Sequence, residues 1–139
     1  MMYFGIFDFT KKRKKSDTQV TFNGQWPDYV VTLDGKNIAE FITKYPLSMI
    51  DFWASWCAPC RIMAPRLRRL SKIYKGKLAF GKLDIQKNQE IARQYKITGI
   101  PCLVFFKNGK KISSITGVKS IGDIKDVIDS YLWKRKENK

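Results

Sequence analysis

Two cysteines three residues apart are the residues in this sequence best suited to chemistry. They stand in the run Trp56-Cys57-Ala58-Pro59-Cys60, where an apolar, strand-like segment gives way to a helical pattern. Two cysteines in a first helical turn share one face and lie close enough for a disulfide. Free N–H groups and the helix dipole favour the thiolate of Cys57, which makes it the expected nucleophile. Cys60 lies further into the helix, where it can attack a mixed disulfide from within the chain.

Metal binding is the alternative use of such a cysteine pair. Zinc would need two further ligands, and only Cys102 and carboxylates remain, because the sequence contains no histidine. The same absence excludes Ser-His-Asp triads and Cys-His dyads. We therefore expect no metal and no bound cofactor, with the cysteine pair itself as the redox group.

The residues around the pair alternate between strand and helix patterns. Strands are predicted over residues 29–33, 48–54, 77–83, 102–106 and 111–116, and helices begin near residues 34, 57, 89 and 120. The second strand is apolar enough to be buried on both faces, and Asp51 is its single carboxylate. Asp34 is the predicted cap of the first helix. The order βαβαβαββα predicts an α/β fold with a central mixed sheet flanked by helices.

The chain is strongly basic, with 27 Lys and Arg against 12 Asp and Glu and a formal net charge of +15. Residues 30–133 hold 18 of the basic and 8 of the acidic residues, so the charge belongs to the folded body. Such a field favours encounters with acidic partners, but its sign alone does not identify them. The sequence does not favour a dedicated nucleic-acid role.

Residues 1–28 are predicted to be an extension before a domain of residues 29–139 that ends in a short basic tail. The apolar start of the chain precedes the charges of residues 11–15, the reverse of a secretory signal. No apolar run approaches the roughly 18 to 20 residues that a membrane span requires. We expect a cytoplasmic protein, with an extension that is flexible, packs on the domain, mediates a homodimer or contacts a membrane surface.

Two runs of residues resemble the thioredoxin family: Asp51-Phe52-Trp53-Ala54-Ser55-Trp56-Cys57-Ala58-Pro59-Cys60 and Gly99-Ile100-Pro101. The similarity covers roughly residues 29–133. It implies the thioredoxin fold and the reduction of disulfides in target proteins by thiol–disulfide exchange. It also implies a thioredoxin reductase as electron donor.

The resemblance further implies roles for single residues. Asp51 matches the buried aspartate that takes the proton of Cys60, and Lys82 matches the lysine that tunes this aspartate. Their alternatives are a hydrogen-bonded structural carboxylate and an ordinary lysine at a strand end. Pro101 matches the cis-proline that packs against the disulfide. The other matched positions form the rim where target proteins dock: Trp56, Ala58, Pro59, Gly99, Ile100 and Gly117.

Several features depart from the family pattern besides the extension. Ala58 stands where glycine is commoner, and Cys102 replaces the usual threonine, either as a third thiol near the pair or as a small buried residue. The basic helix after the motif begins with Arg61, which we expect to stabilise the Cys57 thiolate or to be solvated. Two other functions stay open: a disulfide oxidase or isomerase of the same fold, and a basic binding module without catalysis.

Overall fold

The computed structural model describes residues 24–133. Most of the predicted extension and the basic tail lie outside these residues. The division of the chain at residue 28 and the homodimer therefore stay predictions. Within the described part of the chain, no helix is both long and apolar enough to cross a membrane.

In the described part of the chain, five strands form one mixed sheet in the order β1-β3-β2-β4-β5. Strands β1 and β2 both pair with β3 in parallel, whereas β4 is antiparallel to β2 and to β5. The predicted α/β fold with a mixed sheet is confirmed, and the strand ends differ from the predicted ones by at most two residues. The strands are β1 (Val31–Leu33), β2 (Leu47–Trp53), β3 (Ala79–Asp84), β4 (Cys102–Lys107) and β5 (Lys110–Thr116).

Within residues 24–133, four helices cover the two faces of the sheet, which separates the core into two layers. Because side chains alternate along a strand, Met49 and Leu103 face one layer, which contains apolar residues of α2 and α4. Ile50 and Val104 face the other, which contains residues of α1 and α3. The helices are α1 (Ile38–Lys44), α2 (Ala58–Ile73), α3 (Gln89–Gln94) and α4 (Ile121–Leu132).

The predicted cap of α1 is wrong by three residues. The side chain of Asp34 accepts the backbone N–H of Lys36 at 2.8 Å, and the N–H of Asp34 donates to the Asn37 side chain at 2.8 Å. Asp34 thus stabilises a turn, and α1 begins at Ile38 with Asn37 as its N-cap residue. Asp and Asn are both favoured at helix N-caps and in turns, so the residue types alone did not show which of Asp34 and Asn37 is the cap.

The absence of a side chain at Gly81 allows β1, α1 and β3 to pack closely. A Cβ atom at this position would lie 2.6 Å from Cδ1 of Leu33 and 3.2 Å from Cε2 of Phe41. Both neighbours are buried, so neither can move into solvent. The sheet therefore needs glycine here for space.

We expect Gly81→Ala to lower the free energy of unfolding by about 1 to 3 kcal/mol, the usual cost of overpacking a core. Urea denaturation at neutral pH measures the change. Gly35→Ala is the matched control, because its Cβ would meet Cδ1 of Ile91 at an ordinary 3.6 Å. Equal stability of the two variants would contradict the steric explanation.

Candidate redox site

The cysteine pair lies at the junction between β2 and α2. Cys57 is the N-cap residue of α2, and its sulfur accepts the backbone N–H of Cys60 at 3.2 Å. The two residues form a disulfide with their Cα atoms 5.3 Å apart. Pro59 falls in the first turn, where a missing N–H leaves no helical hydrogen bond unmade. The local sequence thus holds the pair at the positive end of a helix of 16 residues.

An uncharged groove of about 460 Å³ opens beside the pair. Cys57 lines this groove and Cys60 does not, although the exposed fractions of the two residues are nearly equal at 4% and 3%. Access from the groove therefore distinguishes the two sulfurs. The other lining residues are Trp56, Ala58, Pro59, Ile85, Ile97, Thr98, Gly99 and Ile100.

The far wall of the groove is the segment that leads into β4. The peptide bond between Ile100 and Pro101 is cis. The Pro101 carbonyl accepts the N–H of Gly117 at 2.8 Å, and Gly117 adopts a φ of 98°, which favours glycine. Within residues 24–133, the main chain of residues 98–100 forms no backbone hydrogen bond. Its N–H and C=O groups are thus available to an extended chain.

Asp51 is buried in the middle of β2 on the face that α2 covers. Its side chain is 4% exposed, and Oδ1 has no hydrogen-bond partner within the described part of the chain. Burial raises the pKa of Asp51 from 3.8 to about 7, while the positive charge of Lys82 acts in the opposite direction. A carboxyl group with such a pKa can accept or release a proton near neutrality.

Lys82 is the residue of β3 directly opposite Asp51. It is half-buried, and its Nζ lies 5.9 Å from the centre of the Trp53 ring. Residues 24–133 contain no ion pair between Lys82 and Asp51, since their charged groups do not come within 4.0 Å. Lys82 therefore acts on Asp51 through its field rather than by contact.

Comparison with known proteins identifies the family. The thioredoxin family model matches residues 29–130. The chain is 45% identical over 94 residues to the chloroplastic M-type thioredoxin of Spinacia oleracea, covering 67% of this chain and 52% of that protein. It is 36% identical over 96 residues to a Staphylococcus aureus thioredoxin, covering 68% of this chain and 92% of that protein. The chain belongs to the thioredoxin family.

A solved structure agrees with this assignment. A mutant thioredoxin from Halobacterium salinarum superposes with a TM-score of 0.73 at 29% identity, over 76% of this chain and 93% of that one. The chain spans about half of the length of its spinach relative and most of the staphylococcal one. Thioredoxins are protein-disulfide oxidoreductases, so the chemistry of the Cys57–Cys60 pair is thiol–disulfide exchange.

The structure brings most of the predicted thioredoxin site residues together. The predicted rim residues line the groove, except Gly117, which instead supports it through its hydrogen bond to Pro101. Sequence reasoning missed three lining residues: Ile85, Ile97 and Thr98. Two of them directly precede Gly99 in the chain, and Ile85 follows β3, where its N–H donates to the Trp53 carbonyl at 2.9 Å. For Ile97 and Thr98, their proximity to Gly99 was the signal available.

The structure shows the surroundings of two residues that depart from the thioredoxin pattern. Cys102 is buried among Phe52 and Val104, in the layer that faces α1, and its sulfur lies 3.6 Å from the Thr116 hydroxyl. Arg61 donates to the Ser55 carbonyl at 2.8 Å, so its guanidinium supports the loop before the cysteines. Within residues 24–133, no group of three metal-ligating side chains is present.

We expect Asp51→Asn to stabilise the oxidised protein increasingly as pH rises. Folded Asp51 keeps its proton up to about pH 7, whereas the unfolded residue loses it near pH 4, so wild-type stability falls across this window. The variant lacks this loss. Its free energy of unfolding should therefore exceed that of the wild type by near zero at about pH 4 and by roughly 3 to 4 kcal/mol at about pH 8.

Urea unfolding with the disulfide intact, at several pH values, tests this expectation. Glu40→Gln is the control, because it removes an exposed carboxylate of α1 and should show no such increase. A gain for Asp51→Asn that is the same at every pH would contradict the raised pKa.

Proposed function

We propose that this thioredoxin works as a general reductant of disulfides in target proteins. The observation that carries the proposal is the uncharged groove that Cys57 lines beside a stretch of unpaired main chain. An extended target segment can pair with residues 98–100 as an added strand and so bring its disulfide to Cys57. Because the lining residues are apolar or small, this mode of binding places few demands on the target's sequence.

The first step of the proposed reaction begins with Cys57 and Cys60 reduced. The Cys57 thiolate attacks one sulfur of the target disulfide, forms a mixed disulfide and releases the other target sulfur as a thiolate. The thiolate of Cys57 is favoured by its position at the start of α2. The N–H of Cys60, which points at this sulfur, supports the same charge.

The second step uses Cys60 and Asp51. Asp51 accepts the proton of the Cys60 thiol, and the resulting thiolate attacks the Cys57 sulfur. The Cys57–Cys60 disulfide forms and the second target sulfur leaves, so the target gains two electrons that the pair has lost. The Lys82 charge keeps the pKa of Asp51 from rising further, which preserves its ability to act as a base near neutrality.

A thioredoxin reductase is the proposed source of the two electrons that restore the pair. We place the protein in the cytoplasm, a reducing compartment that suits a reductant. The similarity to a bacterial thioredoxin supports this location, and the chloroplastic name of the spinach relative defines the competing one. Cell fractionation with detection of the full chain separates these two locations.

We expect Cys60→Ser to accumulate a covalent adduct with insulin and Cys57→Ser to form none. The reason is that Cys57 alone lines the groove, while Cys60 resolves the intermediate. Non-reducing electrophoresis with mass spectrometry detects the adduct, and Cys102→Ser should reduce insulin at the wild-type rate. Adducts of equal yield through Cys60 in the Cys57→Ser variant would overturn the assigned roles.

We expect the reduction potential of the Cys57–Cys60 pair to lie near the value of about −270 mV that is typical of thioredoxin. A glutathione or dithiothreitol titration measures it. A value near the roughly −120 mV of a strong oxidase would instead favour the oxidase function. The Cys102→Ser variant should keep the wild-type potential, because Cys102 packs in a different core cluster from the pair.

A further inference from the structure

The basic residues of this chain are concentrated in one stretch. Between Asp51 and Asp84 the sequence contains eight Lys and Arg residues and no acidic residue. Four of the eight cations line a single cleft, although they come from two different elements, α2 and β3. These four are Arg68, Arg69, Lys72 and Lys82.

The cleft has a volume of about 440 Å³, within the range of small-molecule sites. It lies between α2 and the segment that leads into β1. The Lys72 ammonium donates to the carbonyl oxygen of Asp28 at 3.4 Å and so holds this segment against the helix. The Ser71 hydroxyl, which donates to the Arg68 carbonyl at 2.7 Å, lies 3.4 Å from the same Asp28 oxygen. Tyr29 follows directly and lines the cleft with 59% of its surface exposed.

The positive charges in the cleft repel one another, and within residues 24–133 none of them forms an ion pair with a carboxylate. Arg68 and Arg69 lie four and three residues before Lys72 on the helix surface, where like charges are unfavourable. Within residues 24–133 the ion pair is Arg93 with Glu90, on α3, and none involves the cleft. The helix dipole favours cations in the last turn of α2, but it does not explain Lys82, which comes from the sheet.

We propose that this cleft binds a polyphosphate group, either of a nucleotide or of inorganic polyphosphate. Two arginine forks match the oxygen geometry of phosphate, and two ammonium groups add charge to the same space. A group with several negative charges would relieve the repulsion among the four cations. The exposed ring of Tyr29 offers a stacking surface for a base, which inorganic polyphosphate would not use. This site is separate from the groove beside Cys57, since the two share no lining residue.

The test is calorimetric titration of the full chain with sodium tripolyphosphate and with ATP, in about 150 mM salt to screen nonspecific attraction. The variant with Arg68→Gln and Arg69→Gln should bind both probes about tenfold or more weakly, since each change removes charge-assisted hydrogen bonds. Its control carries Lys110→Gln and Lys111→Gln, which remove the same charge from exposed positions on β5. The control should stay within about twofold of the wild type.

The Tyr29→Ala variant distinguishes a nucleotide from inorganic polyphosphate as the source of the phosphate. Weaker binding of ATP alone would assign a nucleotide, and unchanged binding of both probes would assign inorganic polyphosphate. The proposal is overturned if neither probe binds saturably, or if the cleft and control variants lose affinity equally. Insulin reduction by both double variants should equal that of the wild type, which shows that they are folded and keeps this test independent of the redox function.

Discussion

The pairing of β2 on both of its edges is the constraint on which the site depends. Parallel bonds to β3 and antiparallel bonds to β4 cover residues 48–52 on both sides. The strand can neither slide nor twist independently, because a shift by one residue would exchange its two buried faces. The position of the end of β2 is therefore fixed. The short turn after Trp53 then places Cys57 at the start of α2. The same pairing fixes Pro101, which directly precedes β4.

This constraint also explains why Asp51 can be buried although one of its oxygens has no hydrogen-bond partner among residues 24–133. An unsatisfied buried carboxyl group lowers the stability of the fold. The apolar residues packed around Asp51 keep it buried despite this cost. The strand cannot turn Asp51 towards water without exposing Met49, which faces the same layer. A destabilised carboxylate is also a stronger base than an ordinary one, so the feature that weakens the fold is the one that suits proton transfer from Cys60.

The sequence predicted those parts of the molecule that depend on neighbours along the chain. The cysteine pair, the buried strand before it and the helix after it all follow from local patterns, and so does the final helix, predicted to begin near residue 120 and observed from Ile121. The roles of Lys82 and Pro101 could be proposed only through resemblance, since their positions near the pair depend on strand order. Ile85 lay beyond reach for the same reason, because it packs against the cysteines from the end of β3.

The position of Cys102 follows from the strand that contains it. Side chains alternate along β4, so Cys102 must lie on the face opposite to Leu103, and Leu103 pairs with Asp51. Once the register between β2 and β4 is known, Cys102 and Asp51 are assigned to opposite layers of the core. Proximity in sequence to the cis-proline suggested a third thiol at the site, but the two-residue period of the strand directs it towards α1. The alternation of side chains along a strand thus predicts the layer in which a residue lies better than the residue's distance along the chain from a motif does.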